Sequence, residues 1–202
     1  MALSEQEKML LGLPHNPYDE TLSSMRKRTK QLLFQLNYHL SPSQQEERLQ
    51  LLQQLLGSYG KNLHINPPFF CDYGSHIDVG DNFFANCNCT ILDNGKVTIG
   101  NNVMFAPNVS LYTVGHPLDP ELRQQGFEHT KPIVIEDNVW IGGNSVILGG
   151  VTIGKNAVIG AGSVVTKNIP ANSLAVGNPC RVLRQITEQD RLDYQQWLAS
   201  AV

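Results

Sequence analysis

An aliphatic residue recurs every six positions through the second half of the chain. Stepping by six from Ile135 lands on Ile141, Ile147, Ile153, Ile159 and Val165. A second set, Val139, Ser145, Val151, Ala157 and Ser163, follows four positions after each and is small or β-branched. Glycine comes next to the aliphatic at Gly142, Gly154 and Gly160. A helix repeats every 3.6 residues and a strand every 2, so a period of six belongs to neither. It is the signature of a hexapeptide solenoid. Each unit supplies one short strand and one corner, three units close a triangular coil of ~18 residues, and coils stack ~4.8 Å apart. The aliphatics point inward, and the corner residues stay small where faces converge. Asn101, Asn102, Asn138, Asn144 and Asn156 suit turns with left-handed backbone angles. Sandwich strands, spaced at 8–12 residues, do not produce this run. A weaker version passes through Val79, Ala85 and Ile91, then Ile99, Phe105 and Leu111 after a slip of two residues.

The repeat is interrupted once, between Tyr112 and Lys131. This stretch contains Gly115-His116-Pro117 and two charged segments. A long excursion from a compact domain usually carries function, so His116 becomes the first candidate for chemistry.

The flanks read differently. Residues 1–60 are expected to be helical. Asp19 can cap a helix running through Met25, Leu32, Leu33, Leu36 and Leu40, with Arg26, Lys27, Arg28 and Lys30 on its exposed face. Ser41-Pro42-Ser43-Gln44 has the order expected of a second helix start, with Ser41 as N-cap. Leu49, Leu52, Leu55 and Leu56 form its apolar stripe, and Gly57 is its expected C-terminal cap. The solenoid is expected over 61–185 with the projecting loop at 112–132. A C-terminal helix follows over 186–202, starting near Thr187 with Asp190 in the capping-box position.

Charged residues make up only 16% of the chain and the net charge is −3, which leaves no general electrostatic reason to bind nucleic acid or an anionic membrane. No apolar run approaches the ~18 residues of a membrane span. The start, MALSEQEKMLLG, does not read as a signal peptide. A cytoplasmic location is the expectation, and the four cysteines are expected to be buried, reduced thiols. The histidines show no spacing suited to a metal, so no metal is expected.

Several further segments resemble the maltose and galactoside O-acetyltransferases of the hexapeptide acyltransferase superfamily. They are Asp19-Glu20-Thr21-Leu22, Cys71-Asp72-Tyr73-Gly74, Asn82-Phe83-Phe84-Ala85-Asn86, Gly115-His116-Pro117, Asn138-Val139-Trp140-Ile141-Gly142 and Gly177-Asn178-Pro179-Cys180-Arg181. The resemblance covers essentially the whole chain. It implies a mainly β fold: a left-handed parallel β-helix, against the general right-handed rule for crossovers, with a helical N-terminal segment and a short C-terminal helix. It also implies a homotrimer with active sites between subunits, and acetyl transfer from acetyl-CoA to a sugar hydroxyl. His116 matches the family's catalytic histidine, and an imidazole titrating near ~6.5 can take a hydroxyl proton.

Asp19, Arg26, Asp72, Asn86 and Asp93 match family positions at the acceptor pocket, where carboxylates and amides suit a polyhydroxyl ligand. Asp93 suits a turn equally well, and Arg26 suits a solvated helix face. The galactoside members carry serine at the position of Asp72, which points toward a maltose-type sugar. Gly143, Ala161, Thr166, Lys167, Arg181 and Arg184 match the coenzyme groove, where small residues admit the pantetheine arm and cations meet phosphates. Trp140 is expected to line the pocket. The alternative acceptor is a non-sugar hydroxyl, on an antibiotic or a lipo-oligosaccharide precursor.

Overall fold

The computed structural model describes residues 2–200. Its centre is a triangular prism of parallel strands. Face I holds Ser58–Tyr59, Ile77–Val79, Val97–Ile99, Ile133–Ile135 and Thr152–Ile153. Face II holds His64–Ile65, Phe84–Ala85, Met104–Phe105, Trp140–Ile141, Val158–Ile159 and Ser173–Val176, and is closed by the antiparallel strand Arg181–Gln185. Face III holds Phe69–Cys71, Cys89–Leu92, Ser110–Tyr112, Val146–Leu148 and Val164–Val165. The chain circles I to II to III in every coil. The aliphatics of the six-residue repeat all point inward, and Ile135, Ile141, Ile147, Ile153, Ile159 and Val165 are buried, as is the second set from Val139 to Ser163. Each buried Ile or Val among them stabilises the fold by roughly 1.5–3 kcal/mol.

Coil length explains the slip in the repeat. Ile147 pairs with Val165, 18 residues on, whereas Ile91 pairs with Leu111, 20 on. The two extra residues always fall at the corner between faces III and I, in 72–76 and 93–96. The third coil spends 36 residues between Leu111 and Ile147, and its excursion leaves from that same corner. Insertions of all sizes are thus collected along one edge of the prism.

The edge between faces I and II is built from asparagine. Asn62, Asn82, Asn102, Asn138, Asn156 and Asn172 all have positive φ, and each side-chain amide donates to the next at 2.8–3.0 Å. Asn138, Asn144, Asn156 and Asn102 therefore take the turn conformation expected of them. Asn101 does not: its φ is not positive, and its side-chain oxygen instead accepts from the Asp81 N–H at 2.8 Å.

The N-terminal segment forms α1 (Glu5–Leu10), α2 (Glu20–Phe34) and α3 (Gln45–Leu55). Asp19 caps α2 through the N–H groups of Thr21 and Leu22. The end of α2 widens into a π-helical turn, Gln35–His39, so Leu40 lies outside the helix, already extended. Ser41 is not the cap of α3. Its hydroxyl is taken by Ser43, and Gln44 occupies the N-cap position without a side-chain bond to the first N–H groups of the helix. Only the reverse half of the expected capping arrangement forms, the Gln44 oxygen accepting from the Ser41 N–H at 3.0 Å. Gly57 is not a C-terminal cap either: Leu56 is already extended, and the Gly57 N–H pairs with the Ile77 carbonyl as the chain enters face I.

The short α4 (Pro120–Gln124) lies at the tip of the excursion, and α5 (Glu188–Ser200) follows the last strand. Asp190 accepts from the Thr187 N–H, and no residue of α5 is buried. All four cysteines are free; Cys71, Cys89 and Cys180 are buried and Cys87 is half-buried. Among the described residues no helix is long and apolar enough to cross a membrane.

Candidate active site

The edge between faces III and I organises a polar cluster around Asp93. Its carboxylate accepts from the backbone N–H groups of Asp72 (3.0 Å), Tyr73 (2.8 Å) and His76 (3.3 Å), one coil below. The His76 Nδ1–H donates to the Asp93 carbonyl at 2.7 Å. Burial raises the Asp93 carboxyl above its ordinary value, while the N–H groups of Tyr73 and His76 and the charge of His76 act in the opposite sense. Its side chain has no exposed surface. Asp93 therefore holds the corner that presents Asp72.

Asp72 is half-buried, and its carboxyl is pushed up to about 6. Desolvation is the main cause, followed by the charges of Asp93 and Glu128, with Arg26 and Lys30 pulling the other way. Beside it, Tyr73 is buried with Met9 and Leu22 in a small apolar cluster that docks the N-terminal helices onto the prism. Arg26 donates to the Tyr73 hydroxyl at 2.6 Å and to the Pro17 carbonyl at 2.5 Å. That bridge fixes Arg26 and the segment leading to Asp19 against the corner. One oxygen of Asp19 is spent capping α2.

The excursion is an ordered ribbon. Val114–Gly115 pairs antiparallel with His129–Thr130, and α4 is capped by Asp119 at the tip. Thr113 ties its root to the coil below, donating to the Leu92 carbonyl at 2.6 Å and accepting from the Gly95 N–H at 2.8 Å. The return strand is stitched to the N-terminal segment: Thr130 Oγ1 donates to the Met9 carbonyl, and His15 and Glu128 exchange backbone hydrogen bonds.

His116 follows directly and is exposed. Among the described residues nothing hydrogen-bonds its ring. The ladder register pairs 114 with 130 and 115 with 129, and continuing it sets His116 opposite Glu128. A Cβ on Gly115 would fall 2.9 Å from the His129 ring, so any larger residue here would displace that ring.

Glu128, His15 and Asn94 belong to this corner and carry no signal in the sequence. The Asn94 amide donates to Glu128 Oε2 at 3.2 Å, and His15 Nε2 lies 3.7 Å from the same oxygen. His15 Nδ1 donates to the Leu13 carbonyl. His15 Nε2 and Asn94 Oδ1 are buried with no hydrogen-bond partner among the described residues. The period of six predicts coils; it contains no information about which polar residues an N-terminal segment and a ribbon bring against one corner.

The remaining expected residues divide between two edges. Asp19, Arg26, Asp72, Asp93 and His116 gather at the edge between faces III and I, with Thr166 and Lys167 higher on the same edge. Asn86 lies on the edge between faces II and III, where its side-chain oxygen accepts from the Cys87 N–H. Gly143 and Ala161 follow face II strands onto that second edge. Arg181 and Arg184 sit on the antiparallel edge strand of face II. Arg184 is clasped by Asp190 through two bonds of 2.9 and 2.6 Å. Trp140 projects outward from face II between Met104 and Val158, half-exposed.

Known proteins share this fold. Residues 8–60 match the maltose acetyltransferase hexapeptide capping motif, and residues 132–167 match the bacterial transferase hexapeptide family. The chain is 46% identical over 194 residues to the galactoside O-acetyltransferase of Escherichia coli K12, covering 96% of this chain and 95% of that protein. It superposes on a maltose O-acetyltransferase from Clostridium difficile 630 with a TM-score of 0.91 and 50% identity, over 93% of this chain and 100% of the other. It also superposes on a galactoside acetyltransferase in complex with coenzyme A, with a TM-score of 0.91 and 46% identity over 94% of each chain.

Proposed function

The chain belongs to the maltose and galactoside O-acetyltransferase family, and from that premise we propose that it moves an acetyl group from acetyl-CoA to a sugar hydroxyl with His116 as general base. One observation carries the reading. Among the described residues, the excursion that bears His116 leaves from the only edge whose coils are enlarged, and that edge holds a half-buried carboxylate and two buried polar atoms without partners.

An unpartnered buried polar atom costs about 1–3 kcal/mol, and His15 Nε2 and Asn94 Oδ1 carry that cost within the packed shell that holds Glu128 opposite His116. Asp72 and Asp19 accept from the hydroxyls of the acceptor, and Asn86 bridges them from a neighbouring copy. Asp93 acts as a positioning residue, since its carboxylate is committed to the backbone.

The reaction needs no covalent enzyme intermediate. The His116 imidazole takes the acceptor proton as the oxygen attacks the thioester carbonyl. The tetrahedral intermediate collapses with cleavage of the C–S bond. The imidazolium returns its proton to the coenzyme thiolate, giving acetyl ester and free coenzyme A. Holding both substrates together makes direct transfer sufficient. Gly143 and Ala161 leave room for the pantetheine arm along their edge. Thr166, Lys167, Arg181 and Arg184 are exposed and suited to the phosphates, with Trp140 as outer wall.

The test is coenzyme A release from acetyl-CoA with a panel of neutral sugars and non-sugar alcohols. Sugars are expected to be turned over best. His116→Ala is expected to lower turnover by ~10²–10⁴-fold while coenzyme A binding stays close to wild type. A variant that keeps near-wild-type turnover with both substrates saturating overturns His116 as base.

A further inference from the structure

We propose that the groove along α2 beside Asp72 is a subsite for an anionic group, a phosphate or carboxylate, carried by the acceptor. Resting on the acetyltransferase reading above, this makes the preferred substrate class an acidic or phosphorylated sugar. The groove has a volume of about 770 Å³, and its walls include Arg26, Lys27, Lys30, Phe34 and His39. No aspartate or glutamate lines it. Three cations thus share one concave surface on a chain whose net charge is −3. Among the described residues, Lys27 and Lys30 make no ion pair. Like charges this close on a helix repel one another, and a bound anion removes that cost.

Arg26 links the groove to the acceptor corner. It lines the groove and also donates to the Tyr73 hydroxyl next to Asp72. The positive charges of both Arg26 and Lys30 bear on the Asp72 carboxyl. Residues 26, 30 and 34 are spaced by four and form one ridge. At ~1.5 Å per residue, Lys30 lies about 6 Å beyond Arg26 along the axis and Phe34 about 12 Å. Phe34 is 53% exposed. Its ring meets His39 edge-on at 4.6 Å and offers a flat apolar floor to a pyranose face. A neutral sugar has use for the floor and for Asp72, but none for Lys27 and Lys30. An acceptor with its reactive hydroxyl at the corner and an anion about one helical turn away uses all of them.

Calorimetric titration of the full-length protein tests this without requiring turnover. The probes are glucose with glucose 1-phosphate, maltose with maltose 1-phosphate, and inorganic phosphate alone. Each phosphorylated sugar is expected to bind roughly tenfold or more tightly than its neutral partner, as charge-assisted contacts allow. The Lys27→Gln/Lys30→Gln double variant should lose most of that ratio, and added salt should shrink it in wild type. Equal or weaker binding of the phosphorylated sugars overturns the proposal. So does a ratio unchanged in the double variant. Inorganic phosphate binding as tightly as the sugar phosphates would make the groove a plain anion site and overturn the acceptor assignment. A raised acetyl-CoA KM in the double variant would give the cations to the coenzyme, with the same consequence. Failure of the acetyltransferase reading shows separately, as no coenzyme A release with any acceptor, neutral or phosphorylated.

Discussion

Asp72 and Asp93 are both aspartates at the same corner, one coil apart, and the structure gives them opposite tasks. Asp93 has no exposed surface and accepts three backbone N–H groups, so its charge is spent on shape. Among the described residues Asp72 has no such donors to its carboxylate, and burial beside Asp93 and Glu128 lifts it to about 6. An acid whose folded value exceeds its unfolded 3.8 binds more protons when folded across that interval, so stability falls as pH rises from about 4 to 6. Below both values the group is neutral in either state and the penalty vanishes; above 6 the penalty is complete. Asp72→Asn is therefore expected to match wild type in thermal stability near pH 4. It should gain on wild type up to pH 6 and hold the gain above, with a ceiling of ~3 kcal/mol set by the gap between 3.8 and about 6. Residual solvent around this half-buried group lowers the figure. Melting curves at pH 4, 5, 6 and 8 measure it, and a gain that does not grow across that interval contradicts the assignment.

At the scale of elements, the coenzyme side depends on how the last strand meets α5. Arg184, expected to meet a coenzyme phosphate, holds Asp190 through both guanidinium nitrogens. The pairing keeps the Asp190 carboxyl well below the usual range. Arg184 is exposed and Asp190 half-buried, so a phosphate can approach and compete for the guanidinium. Arg184→Ala should raise the KM for acetyl-CoA more than it lowers turnover. Asp190→Asn should have the reverse effect on KM, because it frees the arginine. Steady-state kinetics on both variants decide the matter, and parallel changes in the two would contradict a contact with the coenzyme.

The repeat made the prism legible because each aliphatic reports its own inward position, independent of the rest of the chain. It also exposed the ribbon, as a break in register, and with it His116. The asparagine ladder was only half legible. Asn138 and Asn156 mark turns by residue type, but their side-chain pairing depends on coils that are 20, 36, 18 or 16 residues apart along that edge. Ser41 misled because a serine, proline and glutamine in helix-start order also suit a tight turn placed just before the helix. His15, Asn94 and Glu128 were illegible for a different reason. They meet only because three distant segments dock on one edge, and no local spacing encodes that docking.

For the whole molecule, the division of the expected site between two edges is the decisive fact. Asn86, Gly143 and Ala161 are on one side of face III, and Asp72, His116 and Lys167 are on the other. One prism cannot fold its edges together. Copies related by a three-fold axis can set the edge of one against the opposite edge of the next, making three complete sites. The outward row of face III fits burial between copies: Phe70, Thr90, Leu92, Ser110, Tyr112, Val146, Leu148 and Val164 include no charged residue. Light scattering is expected to return three times the 22.4 kDa chain mass at micromolar concentration. Val146→Asp would bury an unpaired charge and should lower mass and turnover together. Subunit mixing probes the shared site directly. His116→Ala disables one edge, and Ala161→Trp fills the coenzyme groove on the other. Each variant alone should be nearly inactive. Co-refolded in equal amounts, the two should recover about a quarter of wild-type activity, because random assembly joins two intact edges at that fraction of interfaces. A monomer mass, or a mixture no more active than its parts, would mean that the site is completed within one chain and that this assembly is wrong.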